Sequence, residues 1–311
     1  MEDKDLMEVF HDVLEESIAF LYDKLHLKYF DLFFESAANI LEGEVETDLT
    51  DEDKEALEKI YEPILELNLN VEQIRKALQA IVLRGFKEQK ISNGSMTPDT
   101  IGMIFAYLIS KFEPKKTAVK ILDPIAGVGN LLFTIINHLE LDIEAYAVEH
   151  NQLFVRILKT LADLMEQTIS IYFQNTLNTN FSDIDYIVCD FDYDTMRDGK
   201  YFPYECIKHH ISSLKDEGVM IALIPNDFFE YDKDQAFKKE VNKEASIIGL
   251  IELPDEMFKV DKKSIIMIHK KQYPEKKCLM VKLPSFSDAN SFNKALMQIE
   301  TWFETNKIIK K

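Results

Sequence analysis

The chain lacks most of the features that place a sequence quickly. It has three cysteines, Cys189, Cys206 and Cys278, lying far apart. Their spacing excludes a C-x-x-C metal pair, and an odd count without a secretion signal fits reduced thiols in the cytoplasm. No apolar run approaches the length of a membrane span, and the acidic start is no signal peptide. Positive charge is scarce: 36 basic residues face 55 acidic ones, a net charge of −19. Phosphate backbones repel such a protein unless its few cations are clustered. Strong unaided binding to DNA is therefore disfavoured, while a locally basic cleft or a basic partner stays open. Most of the excess lies in positions 1–90, with 23 acidic and ten basic residues.

What is present is organised around residues 119–132, V-K-I-L-D-P-I-A-G-V-G-N-L-L. A short apolar run ends in Asp123, Gly127 and Gly129 follow one residue apart, and an apolar helix starts at Leu131 and Leu132. The pattern reads as strand, tight turn and helix. Glycines there let the backbone approach a ligand, and the new helix offers unpaired N–H groups. A nicotinamide fingerprint, G-x-G-x-x-G, would need a glycine where Leu132 stands, so that reading fails.

Before this stretch the chain reads as helical. Phe10, Leu14, Ser17, Leu21 and Leu25 share one helix face, Thr50 and Asp53 form a weak capping pattern, and Asn70 with Gln73 forms a better capping box. Residues 42–53 read as a solvated acidic loop. The turn at Asn93-Gly94 marks a boundary, giving domains 1–92 and 93–311. Thr97 can cap the next helix, with Pro98 at its first position. Beyond the glycine turn, apolar runs predict strands at 143–148, 169–173, 186–189, 219–224, 247–253 and 264–269, with a further one at 278–283. The last two of the first six are joined by a short linker without helical pattern, so they should pair antiparallel. Glu149 closes the strand after the glycine turn, where a carboxylate can accept hydrogen bonds from ribose hydroxyls. His209 and His210 read as surface residues without a third metal partner. Asp190, Asp192 and Asp194 open like a calcium loop, but Thr195 stands where glycine is required, so no metal site is read.

The spacing D-x-x-x-G-x-G at Asp123–Gly129 resembles the first motif of S-adenosylmethionine-dependent methyltransferases. D-P-x-x-G-x-G-N, including Pro124 and Asn130, is similar to the amino-methyltransferase branch, to which adenine-specific DNA methylases and the modification subunits of restriction systems belong. T-P-x-x-I from Thr97, G-V-M-I-A-L-I-P, I-I-G-L-I-E-L-P-x-x-M-F and K-S-I-I-M-I-H-K-K extend the resemblance over about 92–271. It is nearest to a compact stand-alone group from Gram-positive bacteria. The resemblance implies an α/β fold: a Rossmann-like, seven-stranded, mostly parallel sheet with an antiparallel last strand, behind an N-terminal all-helical domain. It implies S-adenosylmethionine as cofactor, held by Thr97, Asp123, Pro124, Gly127, Gly129, Asn130, Glu149, Asn175 and Asp190. Asn175 stands where the family usually has Asp. Catalysis falls to the tip Asp190-Phe191-Asp192-Tyr193. An acceptor there polarises the amine, and the aromatic residue stacks on a flipped base.

The family tip carries two prolines where this chain has Phe191 and Asp192. Two functions follow from that departure. One is methylation of the adenine N6 amine, in DNA by expectation. The other is a cofactor-binding protein with a degenerate loop that serves as a regulatory or interaction module. The N-terminal helices are the expected surface for a protein partner or a second copy. No target-recognition domain is legible.

Overall fold

The computed structural model describes residues 6–112, 117–192, 196–258, 262–271 and 278–306. In chain order the elements begin with helices α1 (Leu6–Leu25), α2 (Tyr29–Glu42), α3 (Asp51–Tyr61), α4 (Val71–Glu88) and α5 (Asp99–Phe112). Then alternate β1 (Ala118–Asp123), α6 (Asn130–His138), β2 (Asp142–Glu149), α7 (Gln152–Leu164), β3 (Ile169–Phe173) and β4 (Ile184–Asp190). A small hairpin, β5 (Met196–Arg197) and β6 (Lys200–Tyr201), leads to α8 (Phe202–Ile211) and β7 (Leu214–Pro225). The chain closes with α9 (Ala236–Val241), β8 (Ser246–Glu252), β9 (Lys263–His269), β10 (Leu279–Lys282) and α10 (Ala289–Asn306).

These elements form two compact units: residues up to Met96 with Gln152–Thr168, and Thr97–Asn151 with the chain from Ile169 onward. The first unit is helical. Phe10, Leu14, Ser17 and Leu21 are buried along α1, as their spacing predicts. Ser17 meets Ser36 at 2.5 Å, so the polar position on that face is satisfied rather than wasted. The Asn70 side chain accepts from Gln73 N–H at 2.9 Å, and the Gln73 side chain accepts from Asn70 N–H at 3.0 Å, closing the expected capping box on α4. Gly85 lets α4 approach Phe30; a Cβ there would sit 2.5 Å from that ring. Helix α7 joins this unit through Phe154 against Phe86 and the Arg156 guanidinium 3.9 Å over Phe34. The acidic stretch before α3 is a loop over 43–50 with Glu44, Glu46 and Asp48 exposed, as expected, from which two residues turn inward. Val45 and Thr47 are buried, because Asn39 binds Thr47 at 3.0 Å and accepts from Glu46 N–H.

The second unit is built on one eight-stranded sheet, ordered β10-β8-β9-β7-β4-β1-β2-β3. β3, β2, β1, β4 and β7 run parallel. β9 is antiparallel to both β7 and β8, the pairing expected from the short linker. β10 adds the eighth strand, parallel to β8. The central strands are apolar on both faces: Ile187, Val188, Cys189, Met220 and Ile221 have no exposed surface. The predicted Glu217-Gly218 connection is a kink inside β7, with Glu217 at φ +65° and a register shift against β4. No helix among the described residues is long and apolar enough to cross a membrane.

Candidate active site

In an open, mostly parallel sheet, ligands bind beyond the carboxyl ends of the strands. Three of those ends carry acidic groups here, at β1, β2 and β4, and Asn175 follows the end of β3. At β1, Asp123 is 1% exposed and its Oδ1 accepts from Ile125 N–H at 3.1 Å. Burial pushes its carboxyl up to about 8, and the nearby Asp190 and Glu149 add to the rise. Gly127 and Gly129 then turn the chain with φ +57° and +86°, values that a side chain would strain. Gly129 is the residue before the first turn of α6, and its N–H donates to Ala126 O at 2.8 Å.

Glu149, at the end of β2, is 6% exposed and gathers the turn around itself. Oε2 accepts from Gly127 N–H at 2.9 Å, and Oε1 accepts from the N–H groups of His150 and Asn151, both at 2.7 Å. The carboxylate proposed from sequence as a sugar acceptor is therefore also the brace of the glycine turn. Asn175 caps its own short turn, its Oδ1 accepting from Leu177 N–H, and its side chain is exposed. Pro124, Ile125, Glu149, Asn175, Arg197 and Phe202 line a cavity of about 70 Å³. The Arg197 guanidinium lies 3.7 Å over the Phe202 ring in this space. Pockets for cofactor-sized molecules span roughly 300–1,000 Å³, so this cavity takes only part of such a molecule.

At the end of β4, Asp190 is held from two sides. Oδ2 accepts from the Thr97 hydroxyl at 2.8 Å, and Oδ1 meets the Lys263 ammonium at 2.5 Å. Thr97, placed by the sequence at the start of α5, thus reaches with its hydroxyl across to the tip of β4. Its carbonyl accepts from Asn130 Nδ2 at 2.6 Å, and the same amide donates to Asp99 at 3.0 Å. Asn130, 6% exposed, spends that amide on tying the start of α5 to the start of α6. Phe191 follows Asp190 with its ring in the core, 1% exposed, and its N–H donating to Leu223 O at 2.9 Å. Desolvation raises the Asp192 carboxyl, against the pull of Lys263. Tyr193 lies outside the described residues.

Lys263 is the site residue that the sequence reading missed. It opens β9 opposite Pro225 and is only 6% exposed. The signal was there: Lys263, Ile265 and Met267 alternate on one strand, and a lysine in a buried register needs an anion. His210 is a second correction. It is fully buried rather than on the surface, because its Nε2 meets the Thr176 hydroxyl at 2.7 Å behind β3. Among the described residues no group of three or more His, Cys, Asp or Glu is arranged to hold a metal.

Residues 80–309 match the model of the family described as N-6 DNA Methylase, which covers well over half of the chain. The chain belongs to the N-6 DNA methylase family. Residues 8–86 match the YtxK N-terminal helical domain. The Bacillus subtilis (strain 168) protein YtxK is 28% identical over 98% of this chain and 99% of its own. A Listeria monocytogenes protein, described as a class I S-adenosylmethionine-dependent methyltransferase, is 30% identical, with a TM-score of 0.85 over 96% of this chain and 99% of that one. A type I restriction-modification methyltransferase subunit from Streptococcus thermophilus has the same fold at 13% identity, with a TM-score of 0.63 over 97% and 78% of the two chains. As a member of the N-6 DNA methylase family, this protein is an S-adenosylmethionine-dependent methyltransferase by family and by fold.

Proposed function

We propose that the protein methylates the N6 amino group of adenine in DNA. The observation that carries this reading is Asp190: a carboxylate at the tip of β4, fixed by Thr97 and Lys263, at the same sheet edge as the glycine turn and Glu149. The donor set fits the cofactor. Glu149 stands at that edge as a sugar acceptor, and the positive-φ glycines put no side chain of their own on the turn. Bound S-adenosylmethionine supplies an activated methyl group; the chain supplies position and polarity.

In this reading Glu149 keeps one lone pair of Oε2 for a ribose hydroxyl, since a carboxylate offers about four acceptor sites. Asn175 and Pro124 border the nucleoside cleft. Asp190 accepts one amine hydrogen and favours a tetrahedral nitrogen whose lone pair is ready for transfer. The missing prolines are replaced by another anchor: the buried Phe191 ring and its bond to Leu223 hold the tip to the sheet. Arg197 and Lys200 put two exposed cations on the hairpin after the tip, which supports contact with phosphates. Residues 1–92 form the candidate interaction domain, and residues 93–311 the transferase.

A second reading, a cofactor-binding module without transfer, is favoured by the −19 charge and by the ammonium already seated on Asp190. Incubation with radiolabelled S-adenosylmethionine and separate pools of DNA, RNA and protein separates the two. Label in DNA with the wild type, reduced by about a hundredfold or more in Asp190→Ala, supports methylation. Calorimetric cofactor binding with no label in any pool supports the module.

A further inference from the structure

Lys263 is buried at 6% exposure and its partner Asp190 is nearly so, with the two charges 2.5 Å apart. Separating such a pair strands a charge away from water, so the ammonium stays on Asp190 when an acceptor arrives. It does not fill the carboxylate. Thr97 and Lys263 each take one acceptor site, on different oxygens, and a carboxylate offers about four. An incoming amine therefore meets an acceptor whose charge is already neutralised, with a fixed cation beside it.

We propose that Lys263 is the specificity-determining residue of this site: it admits amines that are uncharged at neutral pH, such as nucleobase amines, and rejects alkyl ammonium groups. This rests on the methylase reading above. An alkyl ammonium bound to Asp190 would place its charge on the order of 5 Å from the Lys263 ammonium, in surroundings that screen poorly. It would also have to lose a proton before attack, and at pH 7 roughly one lysine-type amine in a few thousand is neutral. An exocyclic nucleobase amine carries no charge to repel. In the transfer its nitrogen forms the bond to the methyl carbon, and the carbon–sulfur bond breaks with its electron pair going to sulfur. The nitrogen proton then leaves to Asp190 or water.

The test uses full-length wild type, Lys263→Met and Lys263→Arg with labelled S-adenosylmethionine, a DNA pool and a lysine-rich peptide pool. Cofactor binding is followed in parallel by calorimetry. Wild type labels DNA over peptide, Lys263→Met lowers that ratio at least about tenfold, and Lys263→Arg keeps it within about threefold, because only charge is being read. Should Lys263→Met fail to fold, Lys263→Gln, which can still donate a hydrogen bond to Asp190 but carries no charge, should show the same loss of discrimination. Label in peptide with the wild type overturns the charge filter while transfer itself stands. So does a Lys263→Met variant that labels DNA better than wild type, which would make the ammonium a plug. Cofactor binding with no label from any variant removes the methylase reading, and the filter falls with it.

Discussion

Replacing Glu149 by Gln separates the brace of the glycine turn from the charge it carries. The Glu149 carboxylate accepts three backbone N–H groups: Gly127 on Oε2, and His150 and Asn151 on Oε1. A glutamine carbonyl can serve only one side. With its oxygen toward His150 and Asn151, its NH2 group faces Gly127 N–H; flipped, it abandons two donors instead of one. The better rotamer leaves one buried N–H unsatisfied, about 1–3 kcal/mol, and weakens two charge-assisted bonds by about half a kcal/mol each, about 2–4 kcal/mol in all. Urea unfolding should show this loss as a lower midpoint with an unchanged slope. Calorimetry at a temperature where the variant is folded should show S-adenosylmethionine affinity reduced by more than about tenfold, since the turn and the sugar acceptor go together. A variant within about 0.5 kcal/mol of wild type would refute the argument that this carboxylate holds the turn.

Asp123→Asn should flatten the pH dependence of stability. The folded carboxyl titrates at about 8 against an ordinary 3.8, so the wild type loses stability as pH rises through that window; melting temperatures at pH 5 and pH 8 should lie closer together in the variant. His210 gives the opposite slope at acid pH. Burial lowers it from 6.5 to about 3, so stability present above 6.5 is lost as pH falls toward 3, and an acid titration of urea midpoints should show a loss that His210→Gln lacks. Asn70→Ala removes half of the α4 capping box and should cost about 1 kcal/mol in urea unfolding. Gly85→Ala should destabilise by about 1–2 kcal/mol despite the better helix propensity of alanine, because the new methyl meets Phe30 at 2.5 Å; a more stable variant would show that ring free to move aside.

The elements themselves were legible because their signals are local. The Asn70–Gln73 box, the apolar face of α1 and the strand–turn–helix at Asp123–Leu132 each depend on residues within a few positions of one another. The antiparallel pairing of β8 and β9 followed from a linker too short for a crossover. What escaped is what tertiary packing decides. Nothing local says that the Thr97 hydroxyl donates to Asp190, 93 residues on, or that Lys263 reaches the same carboxylate from 73 residues away. His210 was misplaced for the same reason, since a polar pair reads as surface until Thr176 is seen to take one ring nitrogen.

The departures at the tip of β4 belong together. Prolines stiffen a loop by removing backbone freedom without needing support from elsewhere. Phe191 achieves stiffness by a different route, through a buried ring and a strand-type hydrogen bond to Leu223, and that route depends on the core beneath it. The buried Phe191 ring beside Asp190 leaves that carboxylate in drier surroundings, where it would be costly alone. Lys263 and Thr97 meet that cost with one charge and one hydroxyl. The phenylalanine and the lysine are thus two halves of one solution. A tip restored to two prolines should need Lys263 less than the present one does: in that background Lys263→Met should cost measurably less stability in urea unfolding than in the native tip. Equal costs in both backgrounds would separate the ion pair from the anchoring of the loop.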